Sequence, residues 1–137
     1  MKFNKLIPEL NVSNLEKSLD FYTKILGFKI EYQREESKFA FLSFQGSQIM
    51  IEETNEHWKT GELEHPYGRG VNFQIAVEDI GPLVESLKKN NHPLKVEPEE
   101  NWYRKDRALV GNKEFLVMDP DGYLLRFVED LGEKPVE

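Results

Sequence analysis

The sequence predicts an α+β fold: two tandem βαβββ modules forming a curved sheet around a cavity. Three observations lead there. A strand-to-helix opening recurs, with Val12-Ser13-Asn14-Leu15 entering one helical pattern and Val77-Glu78-Asp79-Ile80 entering another. One helical pattern occurs for every four strand patterns, which argues against a parallel sheet with a helix at each crossover. The strands alternate apolar and polar residues, so each sheet needs cover on only one face. The other faces are left to close toward each other and line a cavity. A chain of 137 residues suits one domain, with halves at about residues 3–56 and 70–130.

The elements follow in order. Residues 3–12 read as a strand, with Pro8, Leu10 and Val12 on one face and Ile7, Glu9 and Asn11 on the other. Pro8 suits a late start or a free edge. Ser13 and Glu16 have the spacing of a capping box. Leu15, Leu19, Tyr22 and Leu26 recur at helical spacing, and Gly27 stops the helix. Strands follow over residues 28–35, 39–44 and 48–53; in the last, Ile49 and Ile51 oppose Met50 and Glu52. Residues 53–70 are polar, carry His57, Trp58, His65 and Tyr67, and read as a functional loop joining the halves.

In the second half, Val71, Phe73, Ile75 and Val77 alternate with Asn72, Gln74 and Ala76. Asp79 caps a helix that has Pro82 in its first turn, Ile80, Leu83, Val84 and Leu87 as its buried stripe, and Lys88 and Lys89 at its end. A short strand is expected at residues 93–96 and a second polar loop, with Trp102 and Tyr103, at 97–107. The closing hairpin turns at Asp119-Pro120-Asp121-Gly122, where proline presets φ and glycine accepts a positive one. Residues 129–137 read as a solvated tail.

Composition narrows the function. Hydrophobic residues make up 39% of the chain and aromatics 12%, enough for a packed core. The formal net charge of −7 disfavours nucleic acid as a partner and favours small, cationic ligands. With no cysteine there is no disulfide, thiolate nucleophile or cysteine-bound metal. No apolar run has the length of a membrane span and no signal peptide opens the chain, so a cytoplasmic protein is expected. No nucleophile and base pair by spacing, so no catalytic residue is assigned.

Residues 12–22 (Val-Ser-Asn-Leu-Glu-Lys-Ser-Leu-Asp-Phe-Tyr), Leu26-Gly27-Phe28, Val77-Glu78-Asp79-Ile80 and residues 119–127 (Asp-Pro-Asp-Gly-Tyr-Leu-Leu-Arg-Phe) together resemble the vicinal oxygen chelate superfamily. That group includes glyoxalase I, extradiol dioxygenases and bleomycin resistance proteins. The resemblance implies four strand positions for metal ligands in the enzymes of the family. Here they fall at Ile7, at Met50 or Glu52, at Asn72, and at Arg126, where the enzymes carry Glu. A divalent site needs three or four converging N, O or S donors, and arginine cannot shed its proton to ligate. The expectation is therefore no metal and no cofactor. The pattern is closest to the bleomycin resistance proteins, which share the early proline and the Leu-Leu-Arg ending. Those resemble metal-free dimers that hold a cationic drug against a tryptophan of a Trp-Gly pair. Here Gly111 fits that pair but Val110 holds the tryptophan position, with Trp102 nearby.

The candidate ligand-binding set is Glu9, Asn11, Glu52, Trp58, Asn72, Gln74, Trp102 and Arg126. Glu9, Asn11, Asn72 and Gln74 occupy the cavity-facing side of their strands. Trp58 and Trp102 offer stacking faces. Arg126 is read two ways, as an ion pair to Glu9 or Glu52 or as a ligand anchor. His57, His65 and His92 lie off every ligand position and read as solvated or structural. The leading function is a metal-free homodimer that sequesters an antibiotic-like, cationic and aromatic small molecule. The alternatives are a lyase or dioxygenase of the same superfamily and a regulatory module.

Overall fold

The computed structural model describes residues 1–136 and divides into two compact units. The first is Met1–Arg69 with Asp119–Tyr123; the second is Gly70–Met118 with the segment that starts at Leu124. In the first unit, β1 (Glu9–Val12) leads to α1 (Leu15–Leu19), which continues as a π-helix, Asp20–Ile25. β2 (Lys29–Arg34), β3 (Phe39–Phe44) and β4 (Ser47–Glu53) follow. The second unit repeats the order with β5 (Asn72–Ala76), α2 (Gly81–Lys89), β6 (Val96–Lys105), β7 (Ala108–Met118) and β8 (Leu124–Pro135). The strands form two four-stranded sheets, β1-β4-β3-β2 and β5-β8-β7-β6, that are not closed into a barrel. β1–β4 and β5–β8 pair in parallel and the rest are antiparallel. Among the described residues, no helix is long and apolar enough to cross a membrane.

Alternation decides which face of each sheet is covered. Leu10, Val12, Ala40, Leu42, Ile49 and Ile51 are buried on one face of the first sheet. Tyr22 and Leu26 from the helical segment are buried with them, and Tyr22 packs edge-on against Phe28. Burying a side chain of this kind stabilises by about 1.5–3 kcal/mol. The second sheet does the same with Ile75, Phe115, Val117, Leu125 and Phe127, beside Leu83 and Leu87 of α2. Phe115 and Phe127 stack with centroids 5.4 Å apart.

Several local expectations give way to tertiary partners. Ser13 is not in a capping box: its amide and hydroxyl both donate to the Asp121 carboxylate. Asn14 is the N-cap instead, accepting from Lys17 N at 2.9 Å, and Glu53 Oε2 accepts from Leu15 N at 3.1 Å. The first helix leaves α geometry at Asp20, because Thr23 Oγ1 donates to Leu19 O at 2.6 Å and Leu26 N reaches back to Phe21 O. Residues 97–105, expected as a loop, form most of β6; all but the adjacent, half-buried Asn101 and Trp102 are exposed, which erases the alternation a strand reading needs. The expected tail is strand as far as Pro135, with Glu133 and Lys134 paired to Val110 and Leu109. The opening strand is shorter than residues 3–12 and starts at Glu9.

The turn Asp119–Tyr123 is part of the first unit and is held by buried carboxylates. Asp119 Oδ1 accepts from the amides of Asp121 and Tyr123, both at 2.9 Å, and Oδ2 accepts from Tyr22 OH at 2.8 Å. Burial pushes the Asp119 carboxyl up to about 6, against the lowering effect of the bonds from Tyr22 and the backbone. Tyr123 OH donates to Asn11 O at 2.8 Å. Gly122 has φ +95°, and a Cβ there would lie 2.5 Å from Pro66 Cα, so only glycine fits.

Candidate functional site

The face of each sheet opposite its apolar core carries Glu9, Asn11 and Glu52 in the first unit and Asn72, Gln74 and Arg126 in the second, all marked by the pattern for ligand contact. In the first unit, register arranges them in two rows across the strands. Asn11, Glu52, Phe39 and Arg34 form one row; Glu9, Met50, Phe41 and Tyr32 form the next. Phe39 and Phe41 are a buried floor, Tyr32 stacks on Phe41 at 5.2 Å, and the Arg34 guanidinium lies 4.0 Å over the Phe39 ring. Burial raises the Glu9 carboxyl above its ordinary value, and the Glu52 charge adds to this; Arg34 opposes both. Asn11 is 5% exposed, and its Oδ1 has no hydrogen-bond partner among the described residues.

In the second unit, Asn72, Gln74 and Arg126 share the uncovered face, with Gln74 and Arg126 directly paired across β5 and β8. Arg126 Nη2 lies 3.1 Å from Glu114 Oε2, so its ion pair is with Glu114, where the sequence reading named Glu9 or Glu52. Glu114 is 4% exposed and also accepts from Tyr103 OH and from Asn101 Nδ2. Arg126 Nη1 reaches Asn72 Oδ1 at 3.5 Å. Burial alone would raise the Glu114 carboxyl, but the bonds from Tyr103, Arg126 and Asn101 outweigh it and hold it below the usual value. Sequence reasoning missed Glu114. Its one visible signal was an acid in the apolar run of β7, two residues before Leu116, the register partner of Arg126.

The two tryptophans differ. Trp58 sits in the connecting loop and is 65% exposed. Trp102 lies on a strand, opposite Gly111, whose missing Cβ leaves room for the indole: an added Cβ would be 2.6 Å from the ring. Trp102 Nε1 donates to Glu100 at 2.8 Å, and Lys134 Nζ lies 4.0 Å over the ring, so one face already holds a cation of the chain. The acids of residues 97–100 divide: Glu97 pairs with Lys88. Glu99 and Glu100 border a cleft of about 690 Å³ beside α2, along with Glu78, Asp79, Glu85 and Glu129. Of the three histidines, a His92 ring nitrogen bonds Met118 O at 2.8 Å.

The repeat resolves which fourth-strand residue corresponds to Arg126. Three residues before Val77 stands Gln74, paired with Arg126; three before Val12 stands Glu9, paired with Met50. Three residues beyond Met50 and Arg126, Glu53 and Glu129 do the same work, accepting from an amide at the start of the module's helical segment: Leu15 N, the first of α1, and Ile80 N, the N-cap of α2. The equivalent residue is therefore Met50 and not Glu52. The four ligand positions carry Ile7, Met50, Asn72 and Arg126, a set that does not fit a divalent metal. Among the described residues, no three His, Cys, Asp or Glu side chains converge to hold one.

Paired βαβββ modules, each a four-stranded sheet with a helical segment, define the fold class, and the class by itself does not fix a function. Residues 4–127 match the model of the Glyoxalase/Bleomycin resistance protein/Dioxygenase superfamily, and the chain belongs to that family. It is 26% identical over 132 residues to a lactoylglutathione lyase of Haemophilus influenzae, covering 91% of each chain. It is 29% identical over 123 residues to glyoxalase domain-containing protein 4 of Mus musculus; this covers 88% of the chain but only 39% of the mouse protein. The crystal structure of a glyoxalase/bleomycin resistance protein/dioxygenase from Alicyclobacillus acidocaldarius shares the fold, with a TM-score of 0.66, 20% identity, and coverage of 93% of this chain and 92% of that one.

Proposed function

We propose that the chain binds a small organic molecule on its uncovered sheet faces without a metal centre of the lyase type. The observation that carries this is Arg126: at a position where the family's metal enzymes carry Glu, a guanidinium is paired at 3.1 Å with buried Glu114. Removing a buried pair's partner leaves an uncompensated charge, so the pair resists rearrangement into a metal site. Sequestration needs no reaction, so such a face serves a binding protein as it stands. A cationic, aromatic ligand and a homodimer in the cytoplasm complete the proposal. The acidic chain and the aromatic residues beside Glu9 and Glu52 support the ligand class.

The second reading is a lyase of the same superfamily. The names of the curated relatives favour it over bleomycin-type sequestration, since the lactoylglutathione lyase of Haemophilus influenzae matches over nine tenths of both chains at 26% identity. The residues at the ligand positions weigh against its metal-dependent form. One experiment separates the two. The purified chain is loaded with nickel, zinc or manganese, or stripped with EDTA, and assayed for conversion of aldehyde–glutathione adducts while its melting temperature is followed. Binding without metal predicts no turnover above background and no change in melting on chelation. A metal-dependent kcat/KM in the ordinary enzyme range, about 10⁴ M⁻¹s⁻¹ or more, establishes the lyase instead. Light scattering tests the dimer.

A further inference from the structure

We propose that the first unit carries a site for a protonated primary or secondary amine, formed by Asn11, Glu9 and Glu52 above the Phe39 floor. The inference rests on the small-molecule-binding reading and names the chemical class that this half of the face takes. Asn11 is the decisive residue. At 5% exposure its Oδ1 accepts from no donor among the described residues, and a buried acceptor without a partner is costly. An acceptor calls for an N–H or O–H. Asn11 is the direct register partner of Glu52, and Glu9 lies two residues along the same face, so the missing donor would come to rest beside two carboxylates. That combination selects a cationic donor over a neutral one and repels an anion.

The carboxylates have no close ion-pair partner, although the charge of Arg34 partly offsets that of Glu9 from a distance. Neither Glu9 nor Glu52 has a salt-bridge partner within 4.0 Å among the described residues. Their mutual repulsion contributes to the raised Glu9 carboxyl. Arg34 is the nearby cation: its charge lowers the Glu9 carboxyl while its guanidinium lies 4.0 Å over the Phe39 ring. Its placement shows that the aromatic row accepts a positive group on its face. A metal is a poorer occupant: no three acidic or imidazole side chains converge here, and the family's ligand position is filled by Met50.

The probes are benzylammonium, benzyltrimethylammonium, benzoate and manganese(II), titrated into the ¹⁵N-labelled full chain and followed by amide shifts. Benzylammonium is expected to move the amides of residues 9–12 and 50–53. The quaternary ion has the same charge and ring but no N–H; it should bind at least about tenfold more weakly, the loss expected for one charge-assisted hydrogen bond. Asn11→Leu should abolish the benzylammonium response while melting at an equal or higher temperature than wild type, because it removes an unsatisfied group. Glu52→Gln should weaken binding by a similar factor. Equal binding of the quaternary ion, binding of benzoate at these amides, manganese saturating them, or silence toward benzylammonium would each overturn the site. If Asn11→Leu melts lower than wild type, its amide is structurally satisfied and the site also fails. A ligand found by thermal shift that leaves these amides unmoved sinks the site but not the binding reading; metal-dependent turnover with no ligand found removes both.

Discussion

Replacing Arg126 with Met tests the network that defines the second sheet's uncovered face. Glu114 is 4% exposed and takes bonds from Arg126, Tyr103 and Asn101. Breaking a fully buried pair by deleting one partner costs about 3–5 kcal/mol. Here the Arg126 side chain is 26% exposed and two neutral donors stay behind, so the cost should fall to that of one charge-assisted hydrogen bond, about 2 kcal/mol. With a urea m-value of about 2 kcal/mol/M, the unfolding midpoint should drop by about 1 M. The double variant Arg126→Met, Glu114→Leu removes the stranded charge as well. Tyr103 is 43% exposed and can turn its hydroxyl to water, so the double variant should return to within about 1 kcal/mol of wild type. Urea unfolding followed by far-UV circular dichroism reads all three proteins. The folded Glu114 carboxyl sits below its ordinary value of 4.5, so the pair's contribution is present above that pH and lost as pH falls through the folded value. The gap between wild type and Arg126→Met should therefore close in acid. A single variant within 0.5 kcal/mol of wild type, by the about 1 kcal/mol scale of a hydrogen bond, or a double variant worse than the single, would refute the argument.

Two further outcomes follow from the structure. Gly111→Ala sets a Cβ 2.6 Å from the Trp102 ring and should cost about 1–3 kcal/mol; in a Trp58→Phe background, the remaining tryptophan's emission should shift to the red, and an unchanged spectrum with unchanged stability would count against it. Asp119 has its carboxyl raised from 3.8 to about 6, so its contribution is complete below pH 3.8 and is lost as pH rises through about 6. Asp119→Asn should flatten the stability change of about 1.4 kcal/mol expected between pH 5 and 7.5; parallel slopes in the two proteins would refute that assignment.

The module repeat was legible because it is local: Val12 and Leu15, like Val77 and Ile80, mark a strand end and a helix start within four residues. The apolar alternation likewise told which face of β4 and β5 would be covered. What escaped was set by pairing across strands. The bond of Arg126 to Glu114 depends on Leu116 lying opposite Arg126, a register that follows a bulge at Gly111 and Asn112. Ser13 had a capping spacing, but its side chain serves Asp121, 108 residues away. Glu53 stood where a strand gives way to the polar loop and Glu129 at the start of the expected tail; their shared role at the helix starts appears only once β4 and β8 are seen beside those helices. Whether Met50 or Glu52 answers Arg126 likewise needed the parallel pairing of β1 with β4.

Because Asp119–Tyr123 is part of the first unit, the two repeats are not two separable polypeptides. Cutting the chain after Arg69 would take Asp119 from Tyr22, Asp121 from Ser13 and Tyr123 from the Asn11 carbonyl. A fragment of the first repeat alone would expose those donors and acceptors in a core shaped to enclose them, and it should be poorly folded in isolation. The same holds during synthesis. The first unit waits for a segment that begins 50 residues after Arg69, so its completion is coupled to synthesis of the second repeat and not to the end of its own.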